Sequence, residues 1–174
     1  GTNAEWAFFD FDRPATYEYD VYVRGQGSGT MLWEVTEVNG DQVTVHVVYD
    51  VGEQSYESTM AGARQTVRAQ TLATPAGPLL ATAMWMPGVW YHGQDIAVGN
   101  QWSAVTPDGS ASFRVTGTNS YAGVECYTTE MRFNETVQHQ GCVSPDMGLA
   151  AHSAFYDEDG TLELEMTLTD YSQG

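Results

Sequence analysis

Residues 42–49 read Gln-Val-Thr-Val-His-Val-Val-Tyr, and this stretch decides the fold class. Apolar side chains occupy every second position of it, at Val43, Val45, Val47 and Tyr49. Side chains two residues apart in a β-strand point to the same face, so the alternation predicts a strand with one apolar face and one polar face. The β-branched and aromatic residues that fill the stretch are those that strands prefer.

The same alternation recurs at residues 17–23 and 162–168, and turn signals lie between the runs. These signals are the glycine-rich stretch 25–29 and the pairs Asn39-Gly40, Asp108-Gly109 and Asp159-Gly160. Asn-Gly and Asp-Gly readily take the positive φ that tight hairpins need. The pattern predicts an all-β domain with minor helix, in which roughly eight to eleven strands form a meander over residues 1–174. Residues 58–71 fit a short helix and a strand equally well.

Residues 69–94 depart from this pattern because none of them carries a formal charge. Three prolines interrupt the stretch, so it is neither one long helix nor one long strand. Its large apolar residues are Leu72, Leu79, Leu80, Met84, Trp85, Met86, Val89, Trp90 and Tyr91. In a chain with a net charge of −17, such a stretch must be buried or must face a partner.

The charge is the strongest feature of the composition. There are 23 Asp and Glu against 6 basic residues, all of them Arg. This surface repels nucleic-acid phosphate and anionic membranes, which excludes both as expected partners. Carboxylates without lysine resemble the composition of haloarchaeal secreted proteins, in which salt screens the mutual repulsion. No run of ~18 apolar residues is present, so no transmembrane segment is predicted.

Cys126 and Cys142 are the two cysteines, and their number and setting predict one disulfide in an oxidising compartment, with two buried free thiols as the alternative. Asn134-Glu135-Thr136 matches the N-glycosylation pattern. The chain starts like a mature or trimmed protein. We therefore expect a secreted or cell-surface protein, and a lipid anchor upstream of residue 1 remains open.

No catalytic motif is recognisable. Ser28 lies in Gly27-Ser28-Gly29 but lacks the spacing of a nucleophile elbow, and the four histidines are scattered. The glycines at 25–29 lack the lysine and helix start of a phosphate-binding loop. We therefore expect a protein that is not an enzyme and that needs no cofactor.

Two metal hypotheses and one sugar hypothesis are weaker than their structural alternatives. Asp157-Glu158-Asp159-Gly160 lacks the spaced ligands of a calcium loop and fits a hairpin tip. If Met84 and Met86 lay in an extended strand, their thioethers would point the same way, with His92 nearby, which would suit Cu(I). Core packing is the alternative for both methionines. The five tryptophans could stack on sugars, or could fill a β-sheet core.

Three parts of the chain follow a recognisable order: an opening strand at 15–23, a pair of strands that contain Cys126 and Cys142, and a closing stretch from Phe155 through 162–171. This order of elements resembles that of LolA-like half-open β-barrel envelope proteins and lipoproteins. The resemblance implies one curved antiparallel sheet around a hydrophobic cavity, with small helices at its mouth. A β-sandwich is the second choice of fold.

These observations lead to a main hypothesis and two alternatives. The main one is a non-catalytic cell-envelope protein that binds a lipid-like ligand through Leu79, Leu80, Met84, Trp85, Met86, Val89 and Trp90. The first alternative is a structural surface or filament subunit. It would assemble through the 69–94 stretch or through an apolar N-terminal strand within residues 1–13, which contain Trp6, Phe8, Phe9 and Phe11. The lesser alternative is a carbohydrate-binding module.

Overall fold

The computed structural model describes residues 6, 7 and 9–173, and they form one open, curved antiparallel sheet of ten strands. The all-β prediction and the half-open barrel are thereby confirmed. The strands are β1 (Ala15–Val23), β2 (Gly27–Asn39), β3 (Gln42–Val51), β4 (Gln54–Ala63), β5 (Gln101–Thr106), β6 (Gly109–Tyr121), β7 (Val124–Phe133), β8 (Thr136–Ser144), β9 (Leu149–Tyr156) and β10 (Leu162–Gln173).

Between β4 and β5 the chain is helical. The pieces are α1 (Arg64–Leu72), α2 (Gly77–Leu80), a π-helical turn (Ala81–Trp85) and α3 (Met86–Tyr91). The ambiguous stretch 58–71 is divided, because β4 ends at Ala63 and α1 begins at Arg64. We call residues 64–91 the cover.

The strand order is β4-β3-β2-β1-β10-β9-β8-β7-β6-β5. Strands that are adjacent in sequence pair with each other, apart from β4 and β5, and β1 also pairs with β10 in the middle of the sheet. Two local meanders therefore meet at a central seam between the first and last strands. The cover connects β4 to β5, which are the two edge strands, so it runs from one edge of the sheet to the other.

The predicted hairpin turns are confirmed. Asn39 pairs with Gln42, which leaves Gly40 and Asp41 as a two-residue loop, and Gly40 has a φ of +60°. A second two-residue loop lies between Thr106 and Gly109. Glycine reaches positive φ without steric cost, which is why these pairs mark turns in sequence.

Alternation determines which side of the sheet is buried. Tyr17, Tyr19 and Val21 of β1 are buried, whereas the residues between them are half-buried or exposed. In β3 the same alternation buries every second residue from Val43 to Val51. One sheet face thus carries the main core, and its aromatic centre is Trp33, whose ring stacks between those of Tyr17 and Tyr19 at centroid distances of 5.0 and 4.9 Å.

Cys126 and Cys142 form the predicted disulfide between the neighbouring strands β7 and β8. Their Cα atoms are 5.3 Å apart, and both side chains are buried. A bond that closes a loop of 16 residues stabilises the fold by about 3 kcal/mol in the chain-entropy model.

The N-terminal segment packs on its own sheet. Trp6, Phe9 and Phe11 are buried, and the Ala7 N–H donates to the Pro145 carbonyl at 2.9 Å. The prediction of an N-terminal strand is wrong for the described residues before β1, which form no strand. Aromatic contacts hold the segment instead, since its rings pack against Tyr91, Tyr17 and Trp85. Phe8 and residues 1–5 lie outside the described residues.

Candidate functional site

The cover lies on the buried face of the sheet and completes the main core. Its buried side chains join those of β1, β2, β3 and β10 in one cluster, and they are Val67, Ala76, Leu79, Leu80, Ala83 and Met84. The π-helical turn packs on β9, and α1 packs on β3 and β4. The uncharged stretch predicted from sequence is therefore mainly a contact surface for the protein's own sheet.

The cover consists of two helical runs of marginal stability. α1 has nine residues, and α2, the π-helical turn and α3 follow one another without a gap over residues 77–91. Within the described structure no side chain caps the N-terminus of either run, and Pro87 lies inside the second run, where it lacks the N–H of a regular helical hydrogen bond. Isolated helices shorter than about 15 residues are marginal in water, so the packing against the sheet must hold the cover in place.

The floor beneath the cover is formed by aromatic and methionine side chains. Met31, Met166 and Tyr19 are fully buried in it, together with Trp33. Burial raises the pKa of Tyr19, whose hydroxyl donates to the Ala150 carbonyl at 2.6 Å. Methionine is unbranched and polarisable, so it adapts to neighbours of different shape. Such a floor can repack around a different apolar surface at low cost.

Residues 9–13, which we call the strap, fasten the cover. Asp10 forms a charged hydrogen bond with Arg68 of α1 and lies 3.8 Å from the Arg64 guanidinium. The Phe11 ring meets Trp85 edge-on at 6.1 Å, and the Arg68 guanidinium lies 6.0 Å from the Trp85 ring centroid. Polar and aromatic contacts thus connect the strap to α1 and to the π-helical turn of the cover.

The backbone conformation at Phe11 also indicates that packing holds the strap in place. Phe11 has a φ of +49°, which costs a residue with a β-carbon about 1 kcal/mol or more. The side chain is nevertheless 1% exposed and contacts Phe9 at a ring distance of 5.2 Å. Burial of the ring holds the backbone in this conformation.

A second aromatic cluster lies under α3. Trp90 and Phe155 contact the His139 ring at centroid distances of 5.0 and 4.5 Å. The Nδ1 atom of His139 is buried and has no hydrogen-bond partner among the described residues. Burial, helped by the nearby His152, lowers the pKa of His139 to about 3, so the imidazole is neutral at ordinary pH.

The predicted ligand-binding residues divide by exposure. Leu79, Leu80 and Met84 are buried against the floor. Trp85, Met86 and Trp90 are half-buried, and Val89 is 81% exposed. The structure therefore brings most of them onto one covering element but points Val89 outward.

The copper hypothesis is corrected by the local conformation. Met84 and Met86 lie in helical turns and not in an extended strand. Successive helical residues are about 100° apart around the axis, so positions two apart diverge. Met84 is buried and His92 is exposed, so the three residues do not share one environment.

The interior beneath the cover is filled by the protein's own side chains, since Leu80, Met84 and Trp33 are at most 1% exposed. One surface depression, with a volume of about 470 Å³, lies beside the disulfide and is lined by residues of β6, β7 and the β8–β9 loop, among them Asn119, Glu125 and Asp146. Polar and apolar atoms line it about equally, and none of the predicted ligand-binding residues lies among its lining residues. An apolar guest would therefore have to displace the cover.

The remaining sequence motifs have structural settings. Asp157 accepts hydrogen bonds from the Asp159 and Thr161 N–H groups at 2.9 Å and pairs with Arg24, which makes the acidic run a hairpin tip. Asn134 is exposed in the β7–β8 turn, and its Oδ1 accepts from the Ser110 N–H at 3.1 Å. In the described residues, no helix is long and apolar enough to cross a membrane.

The tryptophans serve packing. Trp6 and Trp33 are buried, and Trp85, Trp90 and Trp102 are half-buried among other rings. Trp102, for example, stacks on Phe113 at 5.6 Å with an interplanar angle of 10°. Sugar-binding sites present exposed rings, so this arrangement gives no support to the carbohydrate alternative.

No protein-family model matches the chain, and no curated protein matches it. Among solved structures, MucB in complex with MucA(peri) aligns with 95% of this chain at a TM-score of 0.52 and 15% identity. The chain spans about half, 52%, of the length of that MucB chain.

Two further similar structures come from named organisms. A "putative lipoprotein" from Parabacteroides distasonis has a TM-score of 0.43 and 13% identity, over 98% of this chain and 100% of that chain. A "putative outer membrane lipoprotein-sorting protein domain" from Vibrio parahaemolyticus has a TM-score of 0.27 and 11% identity, over 94% of this chain and 86% of that chain. The half-open β-barrel fold that the resemblance to LolA-like proteins predicts is confirmed by the open ten-stranded sheet.

Sequence reasoning missed the strap and the histidine cluster. Asp10 is far in sequence from both Arg64 and Arg68, and nothing in this spacing indicates an ion pair. One signal was available for the arginines, since two of the six basic residues lie within four positions of each other just before the uncharged stretch.

Proposed function

We propose that this protein is a non-catalytic, extracytoplasmic binding protein that holds an apolar guest, such as an acyl chain, between the cover and the floor. The observation that carries the proposal is the cover itself. It is a helical segment that carries no charge after Arg68 and is interrupted by prolines and a π-helical turn, and it lies on a methionine- and aromatic-rich concave sheet in a chain with a net charge of −17. π-Helical turns within helices often mark functional sites, and a helix without side-chain caps gains little stability from its own ends.

A guest can replace the cover as the apolar surface that shields the floor from water, which makes the proposal energetically reasonable. Moving the cover exposes Leu79, Leu80 and Met84 together with the floor. A guest that covers the same floor recovers about 25 cal/mol for each Å² of apolar surface that it removes from water. The adaptable methionines then close around the guest. No catalytic group is needed for this cycle.

The location outside the cytoplasm is supported by the buried disulfide, because such bonds persist in oxidising compartments. The likeness in fold to a lipoprotein-sorting domain agrees with a role in the cell envelope. The filament alternative is less favoured, since the strap is already occupied by contacts with its own cover.

Quenching of tryptophan fluorescence by dibrominated stearic acid tests guest binding. Bromine quenches on contact, and Trp85 and Trp33 flank the proposed site. We expect saturable quenching at one fatty acid per chain that unlabelled oleic acid reverses. Native mass spectrometry of protein purified without detergent should show a co-purifying apolar molecule. A linear, non-saturating titration together with ligand-free mass spectra would refute the proposal.

A matched pair of strap variants tests whether the cover must move. Asp10→Asn removes the partner of Arg64 and Arg68, whereas Asp12→Asn removes the same charge from a residue that pairs only with its neighbour Arg13 in the described structure. Partly exposed ion pairs contribute up to about 1 kcal/mol, which corresponds to roughly a fivefold increase in the open population.

We therefore expect Asp10→Asn to accelerate fatty-acid uptake by roughly fivefold and Asp12→Asn to leave the rate unchanged. The difference should shrink at about 1 M salt, where the screening length falls to about 3 Å. Equal uptake rates for the two variants at low salt would mean that the strap does not control access.

A further inference from the structure

The molecule has one region that is nearly free of charge. Residues 69–124 contain Asp95, Asp108 and Arg114 as their charged residues, a net charge of −1. The other residues hold 21 of the 23 acidic side chains and 5 of the 6 arginines, which leaves a net charge of −16. The neutral region comprises most of the cover and the β5–β6 hairpin.

The edge strand β5 lies in this region, and its outward side is well defined. Among the described residues β5 has a neighbour on one side, which is β6. Thr106 and Gly109 close a two-residue turn, and at the other end the Val115 N–H donates to the Asn100 carbonyl at 2.9 Å. Hydrogen-bonded positions alternate along an antiparallel ladder. Trp102, Ala104 and Thr106 therefore bond to β6.

The intervening residues, Gln101, Ser103 and Val105, consequently direct their N–H and C=O groups away from the sheet. All three are exposed, and Val105 is 86% exposed. The strand contains no charged residue, no proline and no glycine. Edge strands usually carry such residues as protection against pairing with another chain, so this edge is open to pairing.

Exposed apolar side chains are frequent in this part of the sequence. Among the described residues, the exposed large hydrophobic side chains are Leu72, Val89, Val98 and Val105. Three of these four lie between positions 89 and 105, from α3 to the end of β5. Val105 lies on β5 itself and adds an exposed apolar side chain to the unprotected backbone edge.

We propose that β5 is a self-association edge, through which two copies of this chain pair antiparallel about a twofold axis at Ser103. In this arrangement Ser103 lies opposite its counterpart and Gln101 lies opposite Val105 of the second copy. The outward groups form about six backbone hydrogen bonds, which join two ten-stranded sheets into one. The proposal is independent of the apolar guest.

Charge favours a second copy at this edge and not at the other. Two molecules of charge −17 repel each other over most of their surfaces, and the neutral region lowers that repulsion. The opposite edge strand, β4, carries Glu57 and follows Glu53 in its turn. A pairing of like edges also gives a closed dimer, whereas unlike edges would give open polymers.

Sedimentation velocity over a hundredfold range of protein concentration, at about 1 M and at low salt, tests the proposal. We expect a concentration-dependent dimer that strengthens with salt, because salt screens the repulsion between the acidic surfaces. Ser103→Pro removes an outward N–H without breaking the β5–β6 ladder, and it should weaken the dimer by at least about tenfold. Val105→Glu should act in the same direction.

Ser55→Pro is the matched control on the other edge. Val51 and Gln54 close the β3–β4 turn, so by the same alternation Ser55 points its N–H outward from β4. This variant should dimerise like the wild type. A monomer under every condition would overturn the proposal and leave the edge to an extended segment of another protein. A dimer that both β5 variants leave unchanged would also overturn it, because a different surface would then be responsible.

Discussion

Replacing His139 by Phe should make the stability of the protein less dependent on pH. His139 is 3% exposed, lies between Trp90 and Phe155, and has a pKa of about 3 in the folded protein. In the unfolded chain its pKa is about 6.5. Between these two values the unfolded state binds a proton that the folded state excludes.

The sign of the effect follows from this difference. Acidification stabilises the unfolded state through His139, so the free energy of unfolding falls as the pH drops below about 6.5. Between pH 7 and pH 5 the loss amounts to about 2 kcal/mol, and it continues at about 1.4 kcal/mol per pH unit towards pH 3. A typical domain has a total stability of about 5–15 kcal/mol, so the effect is readily measured.

Urea denaturation at a series of pH values, at constant high salt, measures this contribution. The carboxylates also titrate, but they do so in the wild type and the variant alike, so the difference between the two curves isolates His139. We expect the wild type to lose about 2 kcal/mol more than His139→Phe between pH 7 and pH 5. His46→Gln, at a half-buried histidine bonded to Thr59, is the control for loss of a histidine elsewhere in the sheet. Parallel curves for wild type and His139→Phe would mean that this imidazole is not buried as a neutral group.

Two further predictions concern the core. Replacing Cys126 and Cys142 by Ala, or reducing the wild type, should lower the free energy of unfolding by about 3 kcal/mol, as measured by urea denaturation; an unchanged midpoint would contradict the bond. Leu80→Ala, at a fully buried position of the cover, should cost about 2–5 kcal/mol, whereas Leu72→Ala, at a position that is 41% exposed in the same cover, should cost less than about 0.5 kcal/mol. Equal losses for the two leucine variants would show that the cover does not pack on the sheet.

The sheet could be predicted from sequence because its signals are local. Alternation at 17–23, 43–49 and 162–168 and the turns at Gly40 and Gly109 all depend on neighbours within a few residues. The disulfide followed from the number of cysteines. The uncharged stretch was also correctly identified as interrupted, since proline acts on its own turn.

The contacts between distant residues could not be predicted in the same way. The pairing of β1 with β10 and the ion pair between Asp10 and Arg68 join positions far apart in sequence. Helix and strand compete closely in short apolar runs, which is why Met84 and Met86 were wrongly considered in an extended strand. Exposure depends on the complete fold, so Val89 and Val105 could not be separated from buried valines.

The central seam determines when this protein can fold. β1 cannot pair fully until β10 is available. Paired residues such as Val21 and Met166 join the N-terminal part of the chain to its C-terminal part. When only residues 1–160 have left the ribosome or a translocation channel, β10 is still missing. The strands β1 and β9, which pair with β10 in the complete sheet, then lack this partner. Loop closure over such a distance is slow. The sheet therefore becomes complete only after its last strand has emerged.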